Sequence, residues 1–211
     1  MTGLQGFIPT HTDKIGVQDG CSAPPGKIFF FEKNKYKLHA CCHGTHAMIE
    51  ALRNSSKAPG NLDRIAAVLL HTNPRWMKVC NIKVPKTGLE VKFSYAWLAG
   101  MMLRGDKTDN DRVYTEDLAL DPELMRFSSR FTAVGDKEIS DMQARIDLTL
   151  VGGETLTLTH DLDLPQSNLL LKDRLVTKAI SVNGDKGQEI WRQLEHLDTM
   201  TAHEIGEMIS D

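Results

Sequence analysis

A basic excess is absent from this chain. Lys and Arg number 25 against 28 Asp and Glu in 211 residues, so the formal net charge is −3. With no nucleic-acid-binding motif either, nothing here is suited to grip a phosphate backbone. Long apolar runs are missing too. Segments such as Ile65–Leu70 and Leu169–Leu171 fall far short of the roughly 20 residues a membrane helix needs. Residues 1–20 carry Gln5, His11, Asp13 and Asp19 and no apolar core, which is not the composition of a secretory signal. The four cysteines, at positions 21, 41, 42 and 80, match neither a disulfide framework nor a paired C-x-x-C zinc site. Reduced thiols and a cytoplasmic location are expected on those grounds. No internal repeat or low-complexity tract interrupts an ordinary globular composition, 41% hydrophobic and 25% charged.

What is present is concentrated in one segment. Lys37-Leu38-His39-Ala40-Cys41-Cys42-His43-Gly44-Thr45-His46 runs straight into the helical apolar pattern Ala47-Met48-Ile49-Glu50-Ala51-Leu52. An amine, two thiols and three imidazoles gather where a loop becomes a helix. The first helical turn has unpaired N–H groups and a partial positive charge, so it suits an anionic ligand. The preceding lysine adds a full charge. The segment is expected to form one wall of a site for a small carboxylate.

The remaining pattern organises around this wall. Residues 1–26 are rich in Gly, Pro and Thr and read as an extended lead-in or linker. Lys27–Phe31 is a short β-prone run. A helix is expected over residues 44–53 and a buried strand over Leu62–His71, ended by Asn73-Pro74. Leu89–Leu103 is apolar almost all round, as a buried helix would be, with Gly105 as its stop. Asp121-Pro122 supplies an N-cap and a first-turn proline for a helix to about Ser129. After a short strand at Phe131–Val134, Ala144, Ile146, Leu148 and Leu150 alternate with polar residues. Leu156 and Leu158 repeat the alternation beyond Gly152-Gly153, which predicts a hairpin with one wet face. Its apolar face needs a cover of helices. The expected fold is α+β, a two-layer α/β sandwich with an antiparallel sheet, over residues 27–163. Residues 164–211 form a C-terminal helical segment, with helices at 168–182, about 186–196 and about 201–209.

Several side chains are candidates for chemistry. Lys37 is either a solvated lysine or a cation for a carboxylate. Cys42 and His46, four residues apart, share a face if helical, with His43 and Thr45 beside them. A metal site through Cys42, His46 and a distant His11, Cys21 or Cys80 is one alternative, although adjacent Cys41 and Cys42 rarely reach one ion. Cys41 as a small buried apolar residue is a second, and a cysteine nucleophile at a helix start a third. Lys92 and Ser94 are polar intrusions in an apolar element and are candidates to face the same cavity as Lys37. His71, His160, His196 and His203 stand alone.

The pattern K-x-x-A-C-C-x-G-T-H-x-x-I-(D/E)-A-L, followed by Lys92-Phe93-Ser94 ahead of an Ala-containing apolar helix, resembles the MmgE/PrpD family. That family includes 2-methylcitrate dehydratase, cis-aconitate decarboxylase and iminodisuccinate epimerase. The order of the Asp-Pro helix, the hairpin and the terminal helices is similar, and the resemblance spans about residues 30–210. It implies the smaller α+β lid domain and the returning terminal helices, without the family's N-terminal helical domain. The implied activity is that of a lyase or isomerase acting on small di- or tricarboxylates, with no cofactor and no metal. Lys37 matches the family's lid lysine that faces the substrate and His46 the histidine of its T-H pair, and these two are the expected catalytic residues; Cys42, at a family active-site position, is expected to bind substrate together with His43, Lys92, Ser94 and Trp97. Trp97 stands where the family usually has a tyrosine near the substrate, so an ionisable hydroxyl is lost there or moved to Tyr95. The sequence departs from the 2-methylcitrate dehydratase subgroup around the cysteines. The implied partner is a helical domain supplied elsewhere or a second copy of the chain. The alternative role is a non-catalytic ligand-binding or dimerisation module.

Overall fold

The computed structural model describes residues 34–55 and 60–210. The expected lead-in, the β-prone run at Lys27–Phe31, His11 and Cys21 lie outside the described residues. A four-stranded sheet, in the order β2-β1-β3-β4, forms the centre of the fold. Its strands are β1 (Ile65–Thr72), β2 (Phe131–Gly135), β3 (Gln143–Leu150) and β4 (Thr155–Asp161). The Gly152-Gly153 hairpin forms as the alternation predicts, with Ile146 opposite Leu158 and Leu148 opposite Leu156. β1 runs antiparallel to β3 but parallel to β2. The α+β class therefore stands, while the sheet is mixed rather than wholly antiparallel. A helical crossover between β1 and β2 permits the parallel pairing, which no local hairpin can make.

One face of the sheet is dry. Val68, Leu70, Ala133, Ala144, Ile146 and Leu148 are buried there. They pack beneath helix α1 (His46–Arg53) and helix α2 (Tyr95–Arg104). The other face carries Arg145, Asp147 and a run of threonines, as one-sided sheets do. His71 is not isolated on that wet face. Its ring lies 3.4 Å from Asp136 and 3.6 Å from Asp147, with an Arg145 nitrogen 2.9 Å away.

The apolar stretch 89–103 is not one helix. A single turn, Gly88–Val91, is followed by a break at Lys92-Phe93. Ser94 then adopts an extended backbone and caps α2, its hydroxyl accepting from the Trp97 N–H. A serine hydroxyl competes with helical hydrogen bonding and favours a cap over a helix interior, so the helix restarts there. Gly105, at φ 88°, ends α2 in the left-handed conformation that glycine adopts most readily. Helix α3 (Pro122–Ser128) begins as expected, with Asp121 accepting from the N–H groups of Glu123 and Leu124.

Three helices follow the sheet: α4 (Asn168–Asn183), α5 (Asp185–Leu194) and α6 (Ala202–Ile209). None is long and apolar enough to cross a membrane, nor is any other helix among the described residues. No residue of α4 is fully buried. The helix is tied to the sandwich by polar groups. Lys178 donates to the carbonyls of Leu38 and Asp109, Asn110 donates to the Ser181 carbonyl, and Arg174 grips Glu50 on α1 with both terminal nitrogens.

Glu50 is only 2% exposed, yet three partners converge on it. His39 Nε2 donates at 2.7 Å. Arg53 donates through Nε and Nη2 at 3.2 and 2.9 Å, and Arg174 completes the set. Burial alone would raise the Glu50 pKa. The hydrogen bonds from His39, Arg174 and Arg53 outweigh it and hold the carboxyl well below its ordinary range. A carboxylate with a depressed folded pKa stabilises the fold above its unfolded value, near 4.5. That contribution fades as pH falls through the folded value. Stability is thus expected to decline progressively below pH 4.5. Glu50→Ala, which leaves Arg174 and His39 buried without their anion, is expected to cost about 3–5 kcal/mol in urea unfolding at neutral pH. Arg174→Ala is expected to raise hydrogen exchange selectively along α4. Uniform exchange in both proteins would contradict this anchoring.

Candidate functional site

The chain from His39 to His46 is fixed residue by residue. Ala40 N–H donates to the Thr108 carbonyl at 2.7 Å, and Cys42 N–H to the Lys92 carbonyl at 3.0 Å. Cys42 then caps a 3-10 turn, His43–Thr45, that leads into α1. The fully buried Thr45 returns its hydroxyl to the Cys42 carbonyl at 2.7 Å. Gly44 is required by a close approach: a Cβ there would lie 2.5 Å from the Trp76 ring. The Tyr95 hydroxyl donates to the Gly44 carbonyl at 3.0 Å and meets the Thr72 hydroxyl at 3.1 Å. Helix α2 and strand β1 thereby hold the turn in place.

The thiols and imidazoles in this frame have unlike environments. Cys41 is buried beside Thr45, and burial pushes its thiol up to about 11. Cys42 is half-buried and moves the other way, to about 6. A hydrogen bond from Cys80 is the main cause, and a backbone bond from Gly44 and the charge of Lys37 add to it. Cys80 is raised in turn, because its proton is shared toward Cys42 within a buried setting. His46 is 2% exposed. Burial, with the charges of His39, His43 and Lys37, lowers it to about 3, so it is neutral at pH 7. It sits between two other rings, 5.1 Å from His39 and 5.1 Å from His43. Its Nε2 atom is buried without a hydrogen-bond partner.

The expected site residues separate into two groups. Lys37, Cys42, His43 and His46 come together. Lys37 is exposed, and its charge reaches both thiols and His46. Lys92, Ser94 and Trp97 turn inward. The Lys92 ammonium lies 5.1 Å over the Tyr114 ring. Ser94 is fully buried as the cap of α2. Trp97 is fully buried, its indole N–H donating to the Leu118 carbonyl at 3.3 Å. The Ser94 hydroxyl and the Trp97 indole N–H are thus engaged within the core, while Lys92 is half-buried. As for a metal, no group of three His, Cys, Asp or Glu is placed to hold an ion among the described residues.

Sequence reasoning did not bring His39, Glu50 and Arg174 together, and it named Cys80 only as a distant metal ligand. The first three line or support a cleft of about 620 Å³ between the loop and α4, bounded also by Arg53, Thr108 and Lys178. Its lining includes Leu38, next to Lys37 in the chain, and burial together with the Lys37 charge lowers the pKa of Lys178. One signal was legible. Glu50 is the single acidic residue in a helix whose residues 46–52 are otherwise uncharged, and a carboxylate there requires partners.

These environments set the order of thiol reactivity. Iodoacetamide labelling of the native chain is expected to modify Cys42 first, with a rate that rises through a midpoint of about 6. Cys41 is expected to label only toward about 11. Cys80→Ala is expected to move the Cys42 midpoint upward by more than Lys37→Ala does, since the Cys80 hydrogen bond is the larger effect. Equal labelling of Cys41 and Cys42 at neutral pH would overturn this ordering.

Comparison with curated proteins finds no match. Comparison with protein families gives one finding: residues 39–179 match the MmgE/PrpD C-terminal domain. The match begins two residues beyond Lys37, takes in the Cys/His turn, the sheet and α2, and ends inside α4. It covers more than half of the 211-residue chain, and the chain belongs to the MmgE/PrpD family through its C-terminal domain.

Proposed function

We propose that this chain supplies the lid-domain half of an MmgE/PrpD-type lyase or isomerase for small di- or tricarboxylates. The observation that carries this reading is the gathering of the Lys37 charge, Cys42 and the neutral His46 imidazole around one fixed turn, near a cleft that His39 lines. The shared chemistry of such reactions moves a proton at a carbon next to a carboxylate, and the developing charge must meet a cation or donor. Lys37, which is exposed, neutralises the substrate carboxylate. Cys42, largely thiolate at pH 7 and under the Lys37 charge, is the proton acceptor, poised near the working pH as a general base should be. His46 is too buried and too weakly basic for that part. It serves as a neutral support for the turn. The residues carry out this proton transfer without a metal or an organic cofactor, in a cytoplasmic setting that keeps the thiols reduced.

The second wall of the site comes from a helical domain supplied elsewhere or from a second copy of the chain. Exposed apolar side chains on the terminal helices favour such a partner: Leu169 is 72% exposed, and Leu170, Ile180 and Leu194 are exposed as well. The same surface serves the alternative reading, a non-catalytic module that binds a ligand or dimerises.

Calorimetric titration of the reduced chain with citrate, cis-aconitate or citraconate is expected to show weak binding. Lys37→Ala is expected to weaken it by about five-fold, the scale of one solvent-screened ion pair. The corresponding methyl esters are expected not to bind. Identical affinities for wild type and Lys37→Ala would remove the lysine from the site.

A further inference from the structure

We propose that Cys42 and Cys80 form a peroxide-reactive thiol pair, with Cys42 as the thiol that is oxidised and Cys80 as the thiol that resolves it. Both are free cysteines. Their backbones are pinned to the two ends of one short segment. Cys42 N–H donates to the Lys92 carbonyl at 3.0 Å, and Tyr95 N–H donates to the Cys80 carbonyl at 3.0 Å. Their side chains are hydrogen-bonded to each other. Access is unequal: Cys42 is half-buried, whereas Cys80 is 0% exposed. A small oxidant reaches the first sulfur and not the second. The first sulfur is also the one that receives the Gly44 N–H and the Lys37 charge, which favour the nucleophilic thiolate. Cys41 does not compete, because it is buried with its sulfur 3.2 Å from the Thr45 hydroxyl.

The chemistry closes with hydrogen peroxide as the only oxidant. The Cys42 thiolate attacks one peroxide oxygen, an S–O bond forms and the O–O bond breaks. The departing hydroxide takes a proton and leaves as water. Cys42 is now a sulfenic acid, oxidised by two electrons, and the peroxide is reduced by two. Cys80 then gives up its proton and attacks the Cys42 sulfur. The S–S bond forms, the S–O bond breaks, and the hydroxyl leaves with that proton as a second water. Two thiols and one peroxide become one disulfide and two waters, and an external thiol reverses the change. An exposed, stabilised thiolate beside a second thiol is the arrangement that makes oxidation site-selective. This inference needs only the thiols and does not rest on the carboxylate reading.

The test treats the whole chain with a small excess of hydrogen peroxide and digests it without reduction. The expected product is the peptide bearing Cys42 joined to the peptide bearing Cys80, separated again by dithiothreitol. Cys41 and Cys42 share a peptide, so fragment masses identify the bonded sulfur. Cys80→Ser is expected to stop at a Cys42 sulfenic acid captured by dimedone. Cys42→Ser is expected to slow peroxide consumption by roughly tenfold, in line with the loss of a stabilised thiolate. A bond to Cys41 or Cys21 in place of Cys42, or a rate unchanged by Cys42→Ser, would overturn the proposal. The linked peptide from the wild-type chain decides the matter even if a variant folds poorly. Carboxylate binding is read separately on the reduced chain, so either reading can fail alone.

Discussion

The Glu50 carboxylate is the interaction on which the arrangement of this domain depends. It is a fixed negative charge inside a protein interior, where an unpaired charge is too costly to keep. Its partners therefore come from three places in the chain. His39 lies in the loop that carries the Cys/His turn, Arg53 lies one turn along α1, and Arg174 lies on α4. One carboxylate thus joins the candidate site, the helix that covers the sheet and the terminal helical segment. The cleft beside His39 exists because α4 is held at a distance by these long polar side chains rather than packed flush by apolar ones. A buried ion network contributes less net stability than an apolar core of equal volume. What it contributes here is placement, since the guanidinium of Arg174 accepts only a narrow range of approach to a carboxylate.

The three described cysteines show how one chemical group acquires different character from its neighbours. Cys41 and Cys42 are adjacent in sequence and face opposite conditions. Burial dominates at Cys41 and keeps it protonated. At Cys42 the donated hydrogen bonds and the lysine charge exceed the burial penalty. Cys80 is the counterpart of Cys42, because a proton shared between two sulfurs that favours thiolate on one must favour thiol on the other. The turn that sets these conditions is built from small residues. Gly44 admits the Trp76 ring, and Thr45 closes the backbone onto Cys42.

Much of the fold could be read from the chain because its signals are local. The hairpin at residues 143–161, the Asp121-Pro122 helix start and the Gly105 stop each follow from periodicity or from one capping residue. The break at Lys92-Phe93 was obscured because apolar residues continue on both sides of it, and only Ser94 marks the cap. The parallel partner of β1 was hidden for a different reason. Register between strands distant in sequence depends on tertiary packing, which no local pattern encodes. At the site, the turn itself was legible from its residue types. The inward direction of Lys92, Ser94 and Trp97 was not, nor was the pairing of Cys42 with Cys80, separated from it by β1. The convergence on Glu50 spans residues 39–174 and could be anticipated only as a demand for partners, not as their identities.

The exposure of Lys37 limits what its charge gains. An ammonium and a carboxylate in contact at an exposed surface gain only about 1 kcal/mol, because water screens them and both side chains must be ordered. The same pair in a covered, low-dielectric cleft gains several times more. The thiolate obeys the same rule: in water its attraction to Lys37 is screened, while under cover it is stronger. Lys37 is exposed and Cys42 is half-buried at the start of the turn, with the sheet face and α2 buried behind. The turn is rigid, the charge is exposed and the terminal helices carry uncovered leucines. A surface laid over Lys37 would strengthen its attraction to an anion, and one laid over the leucines would remove apolar area from water.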